Sequence, residues 1–377
     1  MATIYHRSRA VNWLAIAPIF FIFAFIVAPV LNIFVSSLQF ESLNLLRTEA
    51  IRNVVWFTTW QSLVSTALAL TVALPLAFVT ANFKFKAQRL TTSLISMPFI
   101  LPSIVVGVAF LQILPNNFHR TAFALILAHV YFNFGFASRL ISARWLQIHP
   151  HLDDAARTLG ASPLKLFKAI TNAALIVFTL CFTSYGVVRV LGGPSRSTLE
   201  TEIYFRAMQL GDVSGAMLLS ALQLVIIALL FVVTTKASSK KFEQSTRPTI
   251  SRQKSLQTRK QKVIAATIIS IATLFAIVPV LAIALKSINT NSRFTTTAWR
   301  TVFTSPEIAQ SITKTLIYAV IAMSLATLLG LLSACSVAYN NNFRFISGLT
   351  TLPIVISAVS IGLGIIITFD TQPFDWR

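Results

Sequence analysis

Residues 149–170 read HPHLDDAARTLGASPLKLFKAI and separate two long apolar segments of the chain. The run from Asp153 to Arg157 predicts a helical turn that opens with acidic side chains, and Gly160 predicts its end. Ser162 followed by Pro163 has the pattern of an N-cap and a first helical residue, so a second helix is expected to follow. A helix–glycine–helix between two apolar segments is suited to docking a partner at a membrane surface.

Composition places the chain in a membrane. Of its 377 residues, 55% are hydrophobic and 11% are charged. Apolar stretches of about 20 residues recur, and each is long enough to cross a hydrocarbon core of roughly 30 Å. The first stretch, 13–38, is longer than the apolar region of a cleaved signal peptide, so we expect a retained span. These features predict an all-α polytopic membrane protein.

Charge placement predicts the topology. Nine Lys and Arg lie in the segment 236–262 against one acid, Glu243. Basic residues mark cytoplasmic loops, so the amino terminus is expected inside and the carboxyl terminus outside, with the basic segment lying near anionic lipid. Phe242 is the one aromatic side chain there, so nucleic-acid binding is not expected. Nine spans are predicted, at approximately 13–38, 56–80, 91–114, 121–142, 173–191, 214–235, 263–286, 313–339 and 346–369.

An internal repeat organises these spans. FIVAPVLNIFVSSL from Phe25 aligns with FAIVPVLAIALKSI from Phe275 at an offset of 250 residues. MPFILPSIVVGV from Met97 aligns with LPIVISAVSIGL from Leu352 at an offset of 255, pairing prolines and glycines. Duplicated halves are common in transporters. The repeat predicts a first transmembrane unit at 1–235 with its core at about 54–235, a basic cytoplasmic linker at 236–262, and an incomplete second unit at 263–377.

The opening stretch resembles the cytoplasmic signature of permeases from binding-protein-dependent ABC importers. That signature has the form Glu-Ala-Ala, three residues, Gly, nine residues, Ile-x-Leu-Pro. Here Asp replaces Glu, and Asn-Ala stands where the family has Leu-Pro. The resemblance implies a six-helix ABC type-1 permease unit followed by half of a second unit. It also implies that contact with the ATPase is made by Asp154, Ala155, Ala156, Gly160 and Ile170.

Two further passages carry the resemblance. Residues 191–204 are similar to the Leu-Gly-Gly-Pro…Thr-Leu-Glu-x-x-Ile-Tyr run of double-length thiamine and ferric-iron permeases, and His129–Leu140 is similar to their fourth span. Against that double-length pattern, the second half is expected to be truncated. The resemblance implies that a loop containing Gly192, Gly193, Pro194 and Glu200 faces the solute-binding protein.

Polar groups inside membrane spans are costly, which makes them functional candidates. His129 and Asn133 are four residues apart and are expected to share a helix face. Tyr185 and Gln223 lie in the two spans that follow. These four side chains either line a solute pathway or hold the helices together through hydrogen bonds. The sequence leaves both interpretations open.

The resemblance thus implies a bacterial inner-membrane permease that moves thiamine or ferric iron. Its partners would be a separate ABC ATPase, expected as a homodimer, an extracytoplasmic binding protein and membrane lipid. We expect no catalytic residue, cofactor or resident metal. Two alternatives stay open: an ion-coupled secondary transporter, which should display intramembrane carboxylates or broken helices at matching repeat positions, and an inactive truncated remnant of the permease.

Overall fold

The computed structural model describes residues 13–37, 43–147, 164–193, 196–238, 253–290, 293–339, 344–350, 353 and 356–370. Helices dominate these ranges, as the composition predicts. Their bounds are α1 Trp13–Ser37, α2 Glu49–Asn82, α3 Gln88–Ile100, α4 Ser103–Ile113, α5 Ala122–Leu146, α6 Leu164–Phe182, α7 Gly186–Leu191, α8 Leu199–Phe205, α9 Val213–Ser238, α10 Arg259–Ser287, α11 Thr297–Thr304, α12 Pro306–Tyr339, α13 Arg344–Leu349 and α14 Ala358–Phe369.

Six of these helices are long and apolar enough to cross a membrane, and α3 with α4 would make a seventh span. Two shorter apolar helices lie at Ala169–Phe182 and Ala358–Phe369. The prediction of an all-α polytopic membrane protein is therefore confirmed. Strand is confined, in the described residues, to two pairs of two-residue strands: β1 Phe83–Lys84 with β2 Lys254–Ser255, and β3 Asn289–Thr290 with β4 Arg293–Phe294.

Contacts divide the chain into two compact units. The larger unit comprises Leu46–Glu202 and Val225–Lys286, and the smaller unit comprises Met1–Leu45, Ile203–Leu224 and Ser287–Arg377. In the larger unit, α5 packs against α2, α3 and α6. These units are defined by contacts, and the division of the chain into 1–235, 236–262 and 263–377 stays a prediction.

Small residues let the helices of the larger unit approach closely. Ala69, Ala73 and Ala77 of α2 are buried against Ala137 of α5 and Ala173 of α6. Small side chains at such positions bring helix backbones together, and packing then replaces the hydrophobic driving force that is missing in lipid. This packing places the polar side chains of α2, α5 and α6 in one interior.

Helix α10 also packs within the larger unit. Phe275 contacts the rings of Tyr131 and Phe134, with centroids 5.5 and 5.1 Å apart. The Tyr131 hydroxyl donates a hydrogen bond of 2.9 Å to the carbonyl oxygen of Ala276. A buried tyrosine hydroxyl needs such a partner. The bond therefore fixes α10 against α5.

Three predicted spans are broken. The predicted span 346–369 is divided between α13 and α14, and Ser357 before α14 has an extended backbone. Helices α3 and α4 bend by 97° around Leu101 and Pro102, because a proline disfavours helical conformation in the residue before it. The predicted span 173–191 is likewise divided between α6 and α7. Helices α4 and α7 approach each other closely at two glycines. A Cβ at Gly107 of α4 would lie 2.7 Å from the Cβ of Val190 on α7, and a Cβ at Gly186 of α7 would overlap the side chain of Ser103 on α4.

In the smaller unit, α1 packs against α14. Asn32 donates from Nδ2 to the Thr368 hydroxyl over 3.2 Å, and a Cβ at Gly364 would lie 3.0 Å from the Cβ of Pro29. Close approach at the glycine lets the two polar side chains meet. Helix α12 is exposed on all sides between 309 and 328 with respect to the described residues.

Two helix starts follow the repeat seen in the sequence. Helices α4 and α14 begin at Ser103 and Ala358, which are 255 residues apart (358 − 103). This offset equals that of the second sequence alignment, so these repeated segments share a helix start.

Candidate functional site

Most of the expected coupling segment lies outside the described residues, including Asp154, Ala155, Ala156 and Gly160. Ile170 is described. It is half-buried on α6 and packs against the cluster of small residues shared by α2, α5 and α6. Helix α6 begins at Leu164, directly after the predicted Ser-Pro start, and continues to Phe182. The end of the expected coupling segment is thus the first part of a longer helix.

The fourth-span residues lie together in a fully buried polar cluster. His129 and Asn133 on α5 are each 1% exposed. Asn133 Nδ2 donates to the carbonyl oxygen of His129 over 2.9 Å and to the Cys181 sulfur of α6 over 3.4 Å. The expectation that these two residues share a face agrees with this geometry. Their role as a solute pathway stays a prediction.

A third residue, Gln61 on α2, completes the cluster, and the sequence reasoning missed it. Its side chain is 0% exposed, and its Oε1 lies 3.1 Å from His129 Nδ1. Its Nε2 donates to the Ser62 hydroxyl over 2.8 Å, to the Thr58 carbonyl over 3.3 Å and to the Cys181 carbonyl over 3.4 Å. One side chain thus links α2, α5 and α6.

Hydrogen-bond chemistry assigns the tautomer of His129. The amide group of Gln61 that faces two carbonyl oxygens must be the nitrogen, because an oxygen does not donate. Its oxygen therefore faces His129 and accepts from Nδ1–H. A neutral imidazole then has its lone pair at Nε2. This fixes His129 Nε2 as an acceptor.

Two acceptors in the cluster are orphaned. Within the described residues, His129 Nε2 and Asn133 Oδ1 have no hydrogen-bond partner. Both atoms are buried, and a buried acceptor without a donor is costly, on the order of 1–3 kcal/mol. The two atoms belong to residues about one helical turn apart on α5. Each is able to accept a hydrogen bond from an N–H or O–H group.

The other two pathway candidates occupy different places. Tyr185 precedes α7 at the break after α6 and is half-buried in the larger unit. Gln223 lies on α9 and is 0% exposed. A signal for Gln61 was present in the sequence: Thr58, Gln61, Ser62, Ser65 and Thr66 form a polar stripe at helical spacing in an otherwise apolar span.

The expected binding-protein loop is partly described. Gly193 has φ +61°, a conformation that glycine adopts at little cost, and a Cβ there would lie 3.0 Å from Arg120 Cδ. Pro194 lies outside the described residues, and Gly192 closes α7. Glu200 is 1% exposed, so its side chain is not presented to solvent in this structure.

The later part of this loop is anchored to the same helix that carries Gln61. The backbone N–H of Leu199 donates to the Thr58 hydroxyl over 2.9 Å. Thr58 and Gln61 are three residues apart and therefore neighbours on α2. The start of α8 is thus hydrogen-bonded to the part of α2 that carries Gln61.

The chain is similar in sequence to known transport proteins. The chain is 28% identical over 214 residues to the thiamine transport system permease protein of Haemophilus influenzae, covering 50% of the chain and 40% of that protein. It is 27% identical over 226 residues to the protein of the same description from Brucella abortus, covering 52% and 41%. The chain is homologous to transport permeases.

A third relative transports a different solute by its description. The chain is 24% identical over 219 residues to the putrescine transport system permease protein of Escherichia coli K12, covering 50% of the chain and 78% of that protein. No family model matches the chain. The chain spans about two-fifths of the length of the thiamine relatives. These similarities support the ABC permease resemblance, and they do not extend to the double-length or ferric-iron type.

Proposed function

We propose that the chain is a transmembrane permease of an ABC importer that moves a small organic cation, with thiamine as the first candidate. The observation that carries the proposal is the similarity of half the chain to permeases of thiamine transport systems, at 27–28% identity. Identity to the putrescine permease is lower, at 24%. No relative described above concerns iron, so ferric iron is not proposed.

The proposed substrates share a chemistry that suits the buried cluster. Thiamine carries a thiazolium charge and an aminopyrimidine N–H₂ group, and putrescine carries two ammonium groups. Both therefore bring N–H donors and positive charge. The cluster of Gln61, His129 and Asn133 offers orphaned acceptors and, within the described residues, no carboxylate. This supports a substrate that donates hydrogen bonds.

The coupling proposal retains the segment from Asp154 to Ile170 as the contact with the ATPase. Helix α6 supports it, because one uninterrupted helix runs from Leu164 to Phe182. The 17 steps from Leu164 to Cys181 correspond to about 25 Å. A displacement of the helix start by ATPase closure would therefore reach the polar cluster through a rigid element. The separate ATPase, the solute-binding protein and the inner-membrane location are part of this proposal.

The ion-coupled alternative has one structural point in its favour. The break between α3 and α4 and the start of α14 fall at equivalent positions of the repeat, as expected for such transporters. The carboxylates that would carry ion coupling are not found inside the long described spans. Acidic residues in these helices are Glu49 on α2 and Glu307 on α12, and each lies in the first turn of its helix. The ABC importer is therefore the better supported proposal.

A substitution in the coupling segment tests the proposal. Gly160→Val should leave membrane insertion intact, because no span is changed, and should strongly reduce ATP hydrolysis stimulated by the solute-binding protein. The assay compares reconstituted complexes of wild type and variant with and without that protein. A matched control is Gly330→Val, whose Cβ position has no described atom within 4 Å. Full stimulation in the Gly160 variant would refute the coupling role.

A further inference from the structure

We propose that Gln61, His129 and Asn133 form a binding site for an N–H-bearing solute, in which Gln61 is a positioning residue. This inference rests on the proposed function, and it names the recognition chemistry of one site. Two observations carry it: the hydrogen-bond pattern that fixes His129 as an acceptor, and the pair of buried acceptors without a donor.

The site selects donors rather than acceptors. Asn133 uses its Nδ2 hydrogens on the His129 carbonyl and the Cys181 sulfur, which directs its oxygen to the remaining position. His129 uses its one ring N–H on Gln61. Neither side chain then has a donor left for a solute. An amine, an ammonium or an aminopyrimidine satisfies both orphaned atoms, whereas a carboxylate or phosphate meets repulsion between lone pairs.

The site is closed in the described conformation. Its three side chains are at most 1% exposed, and they come from α2 and α5, with the Cys181 carbonyl and sulfur supplied by α6. Access requires separation of these helices. The bond from Gln61 to the Cys181 carbonyl is long, at 3.4 Å, and the bond from Asn133 ends on the Cys181 sulfur, which is a weak acceptor. Displacing α6 therefore breaks the weaker contacts first. The His129–Gln61 bond would persist and keep Nε2 an acceptor.

Gln61 acts on the solute through His129. Without an acceptor facing Nδ1, the imidazole proton is free to move to Nε2, and the acceptor becomes a donor. Gln61→Leu should therefore weaken solute binding although the residue does not touch the solute. Gln61→Glu with a protonated side chain retains a carbonyl oxygen facing Nδ1 and an O–H facing the carbonyl oxygens of Thr58 and Cys181, so it should preserve the tautomer. A purely structural role for Gln61 would not produce this difference in the ring.

The test is equilibrium binding of radiolabelled thiamine and putrescine to the purified chain in lipid nanodiscs. Asn133→Leu should weaken binding of the solute that the wild type takes by about tenfold, the typical value of one hydrogen bond. Ser138→Ala is the matched control, because Ser138 is buried on the same helix outside the cluster. Gln61→Leu should weaken binding similarly, and Gln61→Glu should bind within about twofold of wild type.

A second readout follows the ring itself. Nitrogen-15 NMR of the chain labelled at histidine should show His129 protonated at Nδ1 in the wild type and in Gln61→Glu, and at Nε2 in Gln61→Leu. Equal binding by wild type and Asn133→Leu, or no binding of either solute by wild type, would overturn the site. An Nε2–H tautomer in wild type would overturn the positioning role. ATP-driven uptake by the complete system tests the proposed function separately, and uptake that survives Asn133→Leu unchanged would reject this site alone.

Discussion

Replacing Gly135 by alanine should loosen the contact between α5 and α3. A Cβ at Gly135 would overlap the carbonyl oxygen of Ile95 and lie 2.9 Å from its carbonyl carbon. These are backbone atoms of another helix, so no side-chain rotation relieves the overlap. One of the two helices must move away. Because Phe134 and Ile95 are buried in the same hydrophobic cluster, that movement also disturbs the packing around α10.

The magnitude follows from two opposing effects. Alanine favours a helix over glycine by about 1 kcal/mol, which would stabilise α5. Overpacking of a close helix contact costs typically about 1–3 kcal/mol, and a clash with backbone lies at the upper end. We therefore expect a net loss of roughly 1–2 kcal/mol. Gly330→Ala is the control: its Cβ meets no described atom within 4 Å, so it should be neutral or slightly stabilising.

The assay is reversible unfolding of the purified chain in mixed micelles, as the mole fraction of sodium dodecyl sulfate is raised. Gly135→Ala should unfold at a lower fraction than wild type, and Gly330→Ala at the same or a higher fraction. If both variants unfolded with the wild type, the close approach of α3 and α5 at this residue would be wrong. A destabilised Gly330→Ala would show instead that α12 is covered in the folded protein.

Three further predictions concern turns, caps and topology. Gly193→Ala and Gly211→Ala should each lower the free energy of unfolding by about 1 kcal/mol, because both glycines have positive φ, +61° and +67°. If only Gly193→Ala were destabilising, the cause would be its contact with Arg120 and not the backbone conformation. Asp212→Ala should cost about 1 kcal/mol, because Asp212 Oδ1 caps α9 by accepting from the Gly215 N–H over 2.8 Å, and an unchanged melting temperature would count against the cap. A reporter fused within 236–262 should be cytoplasmic and one after Trp376 external, whereas finding both on one side would remove a span.

The sequence was sufficient for the fold class because hydrophobic length alone forces helices in a bilayer. The repeat could also be found in the sequence, since Pro and Gly recur at fixed offsets. In the structure, α4 and α14 begin at equivalent residues of the repeat. The break at Leu101 and Pro102 was contained in the same motif. It was missed because an apolar stretch interrupted by proline has the same hydropathy as a continuous span.

Two of the three residues of the polar cluster, His129 and Asn133, could be predicted from the sequence, and Gln61 could not. His129 and Asn133 stand out because each is a polar residue in an apolar span, four residues apart. Gln61 is 68 residues from His129 along the chain, and no local pattern says which polar residue of another span will meet it. Side-chain pairing between helices depends on helix rotation, and rotation is set by small-residue packing such as that of Ala69 and Ala73.

Uptake of radiolabelled thiamine tests the central proposal most directly. Proteoliposomes would contain the chain with the ATPase and solute-binding protein of its own transport system, with ATP supplied on the ATPase side and putrescine measured in parallel. The proposal predicts ATP-dependent accumulation of one of these cations, lost in Gly160→Val and retained in Gly330→Val. Accumulation driven by an ion gradient without ATP, or uptake of neither cation by the assembled system, would contradict it.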